Sequence, residues 1–192
     1  MARMVTNAPS QSSSGFTLAE VALAMLLLAL AAVGVLRLAA VSIRAAEAAR
    51  AQTSTTALAL DKAEALRALT WATDGTGQRV SDTSTDLSLA VPGPGGAGLS
   101  ASPAGSLETD VPGYVDYLDA RGGWLGRGPS VPPGTVFVRR WSITPLAEDP
   151  ADTLVAQVLV TTRARAALGA PAAERRLPGD SRLVLVLTRK GR

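Results

Sequence analysis

The chain has 192 residues, which suits one domain of ordinary size plus an anchor or tail. Its 19 basic and 16 acidic residues are scattered, giving a net charge of +3 with no basic block, so no nucleic-acid footprint is indicated. The absence of cysteine excludes disulfides and thiolate chemistry, and the absence of histidine removes the commonest general base and metal ligand. An enzyme would have to rely on carboxylates or lysine. No catalytic constellation of these stands out, so the reading is of a non-enzyme without metal or cofactor.

Residues 1–15, MARMVTNAPSQSSSG, read as a polar leader with no apolar periodicity and one charged side chain, Arg3. Residues 16–36, FTLAEVALAMLLLALAAVGVL, carry one charge, Glu20, and nothing strongly polar from Val21 to Leu36. As a helix, such a segment spans roughly 30 Å, the hydrocarbon thickness of a bilayer. It is read as a transmembrane half-helix.

Residues 37–73 continue without proline or glycine, but polar residues now enter: Arg44, Glu47, Arg50, Asp61, Lys62, Glu64 and Arg67. Leu58, Lys62, Ala65 and Leu69 form one row of helical spacing, and Ala59, Ala63, Leu66 and Thr70 the neighbouring row. One helix is predicted from about Phe16 to about Thr73, apolar all round in its first half and amphipathic in its second. The run Thr53-Ser54-Thr55-Thr56 lowers helix propensity and predicts a bend or fray, and Asp74-Gly75-Thr76-Gly77 is the stop signal.

Residues 74–134 are rich in glycine, proline and serine and read as a variable loop region, with a short structured excursion within 113–128. Residues 135–192 read as β structure. TVFVRRWSIT (135–144) places Phe137, Trp141 and Ile143 on one face with Arg139 between them; TLVAQVLVTTR (153–163) alternates Leu154, Ala156, Val158 and Val160; RLVLVLTR (182–189) is a third strand. The predicted fold is α+β: one long N-terminal helix packed on a small antiparallel sheet.

Gly15-Phe16-Thr17-Leu18-Ala19-Glu20, set directly before the uncharged apolar run, resembles the class III signal of type IV prepilins and type II secretion pseudopilins. More loosely, LALDKAEALRAL (58–69) and VRRWSITPL (138–146) are similar to PilV-type minor pilins and the I-type pseudopilin. The resemblance implies a pilin-like fold and cleavage between Gly15 and Phe16 by a prepilin peptidase, which N-methylates Phe16. It also implies that Glu20 acts in assembly. A carboxylate at membrane depth is costly unless paired, and in the family this glutamate meets the N-terminal amine of a neighbouring subunit. The implied partners are the peptidase, other pilin or pseudopilin subunits met through the N-terminal helix, and the inner membrane before assembly. The implied location is a single pass with a cytoplasmic N-terminus and an extracytoplasmic C-terminal domain, then a pilus or pseudopilus. The missing cysteines favour a minor subunit, since major pilins often carry a disulfide-bounded loop. Only Arg3 and the terminal amine precede the span, whereas Arg37, Arg44 and Arg50 follow it, so orientation rests on the resemblance and not on charge.

The rival readings are an ordinary secretory signal, which Glu20 fits poorly, and a single-pass anchor carrying a binding module that never polymerises. Glu108, Asp110, Asp116 and Asp119 raise the question of a calcium site, but their spacing matches no EF-hand, and surface carboxylates in a turn are expected. Trp141 is expected in the core, and Trp124, among glycines, is the better candidate for a partner surface. Gly93–Gly98 lacks the lysine and strand-to-helix context of a phosphate loop.

Overall fold

A computed structural model describes residues 17–83, 97–166 and 179–191. The leader 1–15, with Gly15, and the neighbouring Phe16 lie outside the described residues, as do residues 84–96, which include most of the Gly-Pro run.

Helix α1 spans Leu18–Ala68, 51 residues. Thr17 starts it: the Glu20 backbone N–H donates to Thr17 Oγ1 at 3.3 Å, and the Thr17 carbonyl accepts from Glu20 and Val21 at 3.1 and 3.2 Å. Threonine three residues before glutamate has capping-box spacing, which satisfies donors the first turn would otherwise leave open. The helix is not interrupted at Thr53–Thr56. Thr53 and Thr55 turn their hydroxyls back onto the carbonyls of Ala49 and Ala51, each at 3.0 Å, so the helix passes through.

The predicted end near Thr73 is also corrected. The helix stops at Ala68, and the chain turns into strand β1, Trp71–Thr73. This strand pairs antiparallel with β2, Arg79–Ser81, across a turn held by Asp74. Asp74 Oδ1 accepts from the Thr76 hydroxyl at 2.7 Å and the Thr76 and Gln78 N–H groups at 2.9 and 2.8 Å. These bonds, the Thr76 hydroxyl foremost, hold its carboxyl below the ordinary carboxylate range.

The chain forms two units, Met1–Ala45 and Ala46–Arg192, with α1 running through the boundary. In the first, every described residue is exposed. Among the described residues, α1 is the one helix long and apolar enough to cross a membrane, which is compatible with single-pass anchoring.

In the second unit the remaining strands are β3 Val115–Leu118, β4 Trp124–Arg127, β5 Phe137–Leu146, β6 Asp149–Thr162, β7 Ser181–Thr188 and β8 Lys190–Gly191, with a one-turn α2 at Arg163–Ala166 after β6. The main sheet runs β4-β3-β5-β6-β7, antiparallel throughout, and a smaller one runs β2-β1-β8, with β1 and β8 parallel. The three predicted strands are β5, β6 and β7. The excursion within 113–128 adds β3 and β4, so the region read as loop supplies two strands of five.

The α+β layout, with the long helix packed on a small antiparallel sheet, holds. Register aligns Trp141 with Val158 and Val158 with Leu183, and Ile143 with Ala156 and Ala156 with Leu185, so the alternating sets share one face. Against that face pack Ala59, Ala63, Leu66 and Leu69. Trp141 lies in this core, as expected from its strand. Val115, Tyr117 and Val138 form a smaller cluster on the reverse face, with Ala166 of α2.

Candidate functional site

Glu20, the described member of the predicted processing and assembly set, is the third residue of α1. It is exposed, and a carboxylate in the first turn suits the positive end of the helix dipole. No charged side chain occurs between it and Arg37, so its own apolar span offers no cation. Gly15 and Phe16 lie outside the described residues.

The densest polar chemistry lies where α1 meets the sheet. Asp116 on β3 is fully buried, and Arg139 on β5 lies directly across from it in the ladder. Arg139 Nε and Nη2 both donate to Asp116 Oδ2, at 3.1 and 2.9 Å. Arg139 Nη1 reaches α1, donating to Asp61 Oδ2 at 2.8 Å and to the Leu58 carbonyl at 3.1 Å. Lys62, also buried, brings its Nζ to 3.5 Å from Asp116 Oδ2 and 3.6 Å from the centre of the Trp141 ring. Trp124 Nε1 donates to Asp116 Oδ1 at 3.3 Å. The buried carboxylate thus faces two cations and an indole, and Asp61 at the exposed rim supplies a second negative charge.

Local sequence explains the convergence. Lys62 belongs to the apolar row of α1 and so points at the sheet. Arg139 shares its face with Phe137 and Trp141 by strand alternation. The β3–β4 turn brings Trp124 alongside: Gly122, at φ 83° and so close to Leu58 that a Cβ would sit 2.7 Å from its Cδ2, gives that approach a residue without a side chain.

The reading of all four carboxylates in 108–119 as surface groups is corrected for Asp116, which pairs with Arg139 and Lys62 inside. Asp110 binds Arg140, accepting from Nε at 2.8 Å. Asp119 Oδ1 closes its own turn on the N–H groups of Arg121 and Gly123, at 2.8 and 2.7 Å. Glu108 stays exposed. Their oxygens point to separate partners, and among the described residues no three acidic groups converge on one point. The surface candidate Trp124 is 40% exposed, with its indole N–H turned inward to Asp116.

Two further polar clusters brace the domain. Tyr117 is buried and donates to the Gly128 carbonyl at 2.7 Å; burial foremost, with Asp110 nearby, raises its pKa well above that of an ordinary phenol. Arg189, after β7, stacks its guanidinium 3.6 Å from the Trp71 ring centre and donates to the carbonyls of Ala72 and Val80 and to Asp152, tying the small sheet to the large one.

The sequence places Lys62 and Arg139 each on an apolar face but does not connect them. The available signal was a charge in each of two facing apolar rows, which requires a buried counter-charge between them. Comparison with protein families, characterised proteins and solved structures returned no match to this chain.

Proposed function

We propose that this chain is a structural pilin-like subunit, a minor pilin or pseudopilin of a type IV pilus or type II secretion filament. A prepilin peptidase cuts it between Gly15 and Phe16 and N-methylates Phe16. Its N-terminal helix then leaves the inner membrane to join the filament, with the rest of the chain outside the cytoplasm.

The observation that carries this reading is the sequence Gly15–Glu20 placed at the head of α1. Thr17 caps the helix, and the proposed cut lies one residue ahead of that cap in the sequence. Glu20 lies at the start of sixteen uncharged residues. Cleavage creates the one group such a carboxylate needs in an apolar medium, an ammonium on an adjoining chain. The continuation of α1 onto an antiparallel sheet agrees with a pilin-like layout and supports the reading.

Mass spectrometry of the native protein tests it. A chain beginning at N-methylated Phe16 is expected. An intact Met1, or a start near residue 41 left by a signal peptidase, would overturn it; intact Met1 is the result for the alternative, an anchored binding module that does not polymerise.

A further inference from the structure

We propose that the charge cluster Lys62–Asp116–Arg139–Asp61 is a register lock, setting the axial position of α1 on the sheet. The need for one follows from the helix face. Ala51, Thr55, Ala59 and Ala63 repeat at four-residue spacing, and Thr55, Ala59 and Ala63 are buried. Helices find register through ridges fitting grooves; Leu66 and Leu69 raise a ridge at the C-terminal end of this face, but the ladder of small side chains before them raises almost none. Sliding α1 by four residues, about 6 Å, puts Thr55 where Ala59 lies and Ala59 where Ala63 lies, small replacing small.

The charged residues do not permit that slide. It would carry Leu58 into the place of Lys62, leaving Asp116 without its partner from the helix, and would push the Lys62 ammonium into the apolar site of Leu66. Asp61 would leave Arg139, with Ala57 in its place. The Lys62 ammonium is thereby stranded away from water, which is far costlier than losing an apolar contact, and Asp116 and Arg139 are left with only each other. The lock therefore acts by penalising the wrong register, whether or not the chain enters a filament.

The chain has no cysteine, so introduced pairs report the register directly. Thr55 Oγ1 lies 3.0 Å from Ser181 Oγ, so Thr55→Cys with Ser181→Cys traps the native register. Ala51→Cys with Ser181→Cys traps the slipped one, because the slide brings Ala51 into the place of Thr55. In a thiol–disulfide buffer, with the full chain in detergent micelles, the native pair forms and the slipped pair stays rare. Replacing the cluster by Lys62→Met, Asp116→Leu and Arg139→Met should raise the slipped disulfide relative to the native one at least about a hundredfold, since no buried charge then opposes the slide. The double variant Lys62→Met with Asp61→Asn keeps the Asp116–Arg139 pair and should shift the ratio the same way. An unchanged ratio in either folded variant overturns the lock. Failure of the double variant to fold also overturns it, because the ties would then supply stability and not register.

Discussion

Lys62 Nζ lies 3.5 Å from Asp116 Oδ2, and both side chains are shielded from water, at 3% and 0% exposure. One comes from the last two turns of a helix and the other from a four-residue strand. Their attraction is strong because the surroundings are poorly polarisable, and for the same reason either charge alone would be expensive.

That asymmetry separates the two carboxylates that Arg139 binds. Asp116→Ala strands Lys62 and Arg139 in the interior and should cost about 3–5 kcal/mol of folding stability. Asp61→Ala removes a carboxylate that is 73% exposed and should cost no more than about 1 kcal/mol, since water screens the pair. Denaturant unfolding followed by tryptophan fluorescence checks both, with Trp124 and Trp141 beside the cluster as reporters.

Tyr117 predicts an alkaline weakness. Its folded-state pKa is raised by burial, so the native state keeps the phenol proton more tightly than the unfolded chain does. The resulting stability is fully present below the ordinary value of 10.0 and is lost as pH rises above it, because the unfolded state then ionises first. Tyr117→Phe loses the bond to Gly128, about 1 kcal/mol at neutral pH. It should also flatten the fall in stability above that value, measured as midpoint against pH.

Arg189 joins the two sheets by hydrogen bonds and by stacking on Trp71. Arg189→Lys keeps the charge but cannot serve both the strand carbonyls and Asp152 while lying flat on the indole. Amide exchange should accelerate across Trp71–Ser81, by the equivalent of about 1–3 kcal/mol. Exchange in β5 and β6 should stay slow.

Glu20→Ala bears on assembly. The Thr17 hydroxyl receives the backbone N–H of residue 20, which alanine retains, so the helix start and cleavage at Gly15 should persist. Incorporation into sheared filaments, read by immunoblot, should fall sharply. Normal incorporation would remove Glu20 from the proposed mechanism.

The helix, the three long strands and the faces they present were legible in the chain because each is written locally. An uncharged run needs a low-polarity medium, and alternation over eight or more residues commits a strand to one buried face. Strands β1, β3 and β4 were not legible. At three or four residues they carry little periodicity, and they exist because partners distant in sequence, such as Arg139 opposite Asp116, accept their backbone bonds. The same dependence moved the end of α1: local propensity favours helix through Thr73, but pairing with Arg79–Ser81 and the Trp71–Arg189 stack claim Trp71–Thr73 for a strand.

By itself the sequence determined the Gly15–Glu20 motif, the apolar length of the following segment and the hydrophobic faces of helix and sheet, since each depends on neighbours within a turn or a strand. Only the tertiary structure decided that Asp116 is an interior anion and not a surface one. Burying a charge is tolerable only where opposite charges meet it, and Lys62 and Arg139 reach Asp116 from separate elements once helix and sheet have packed.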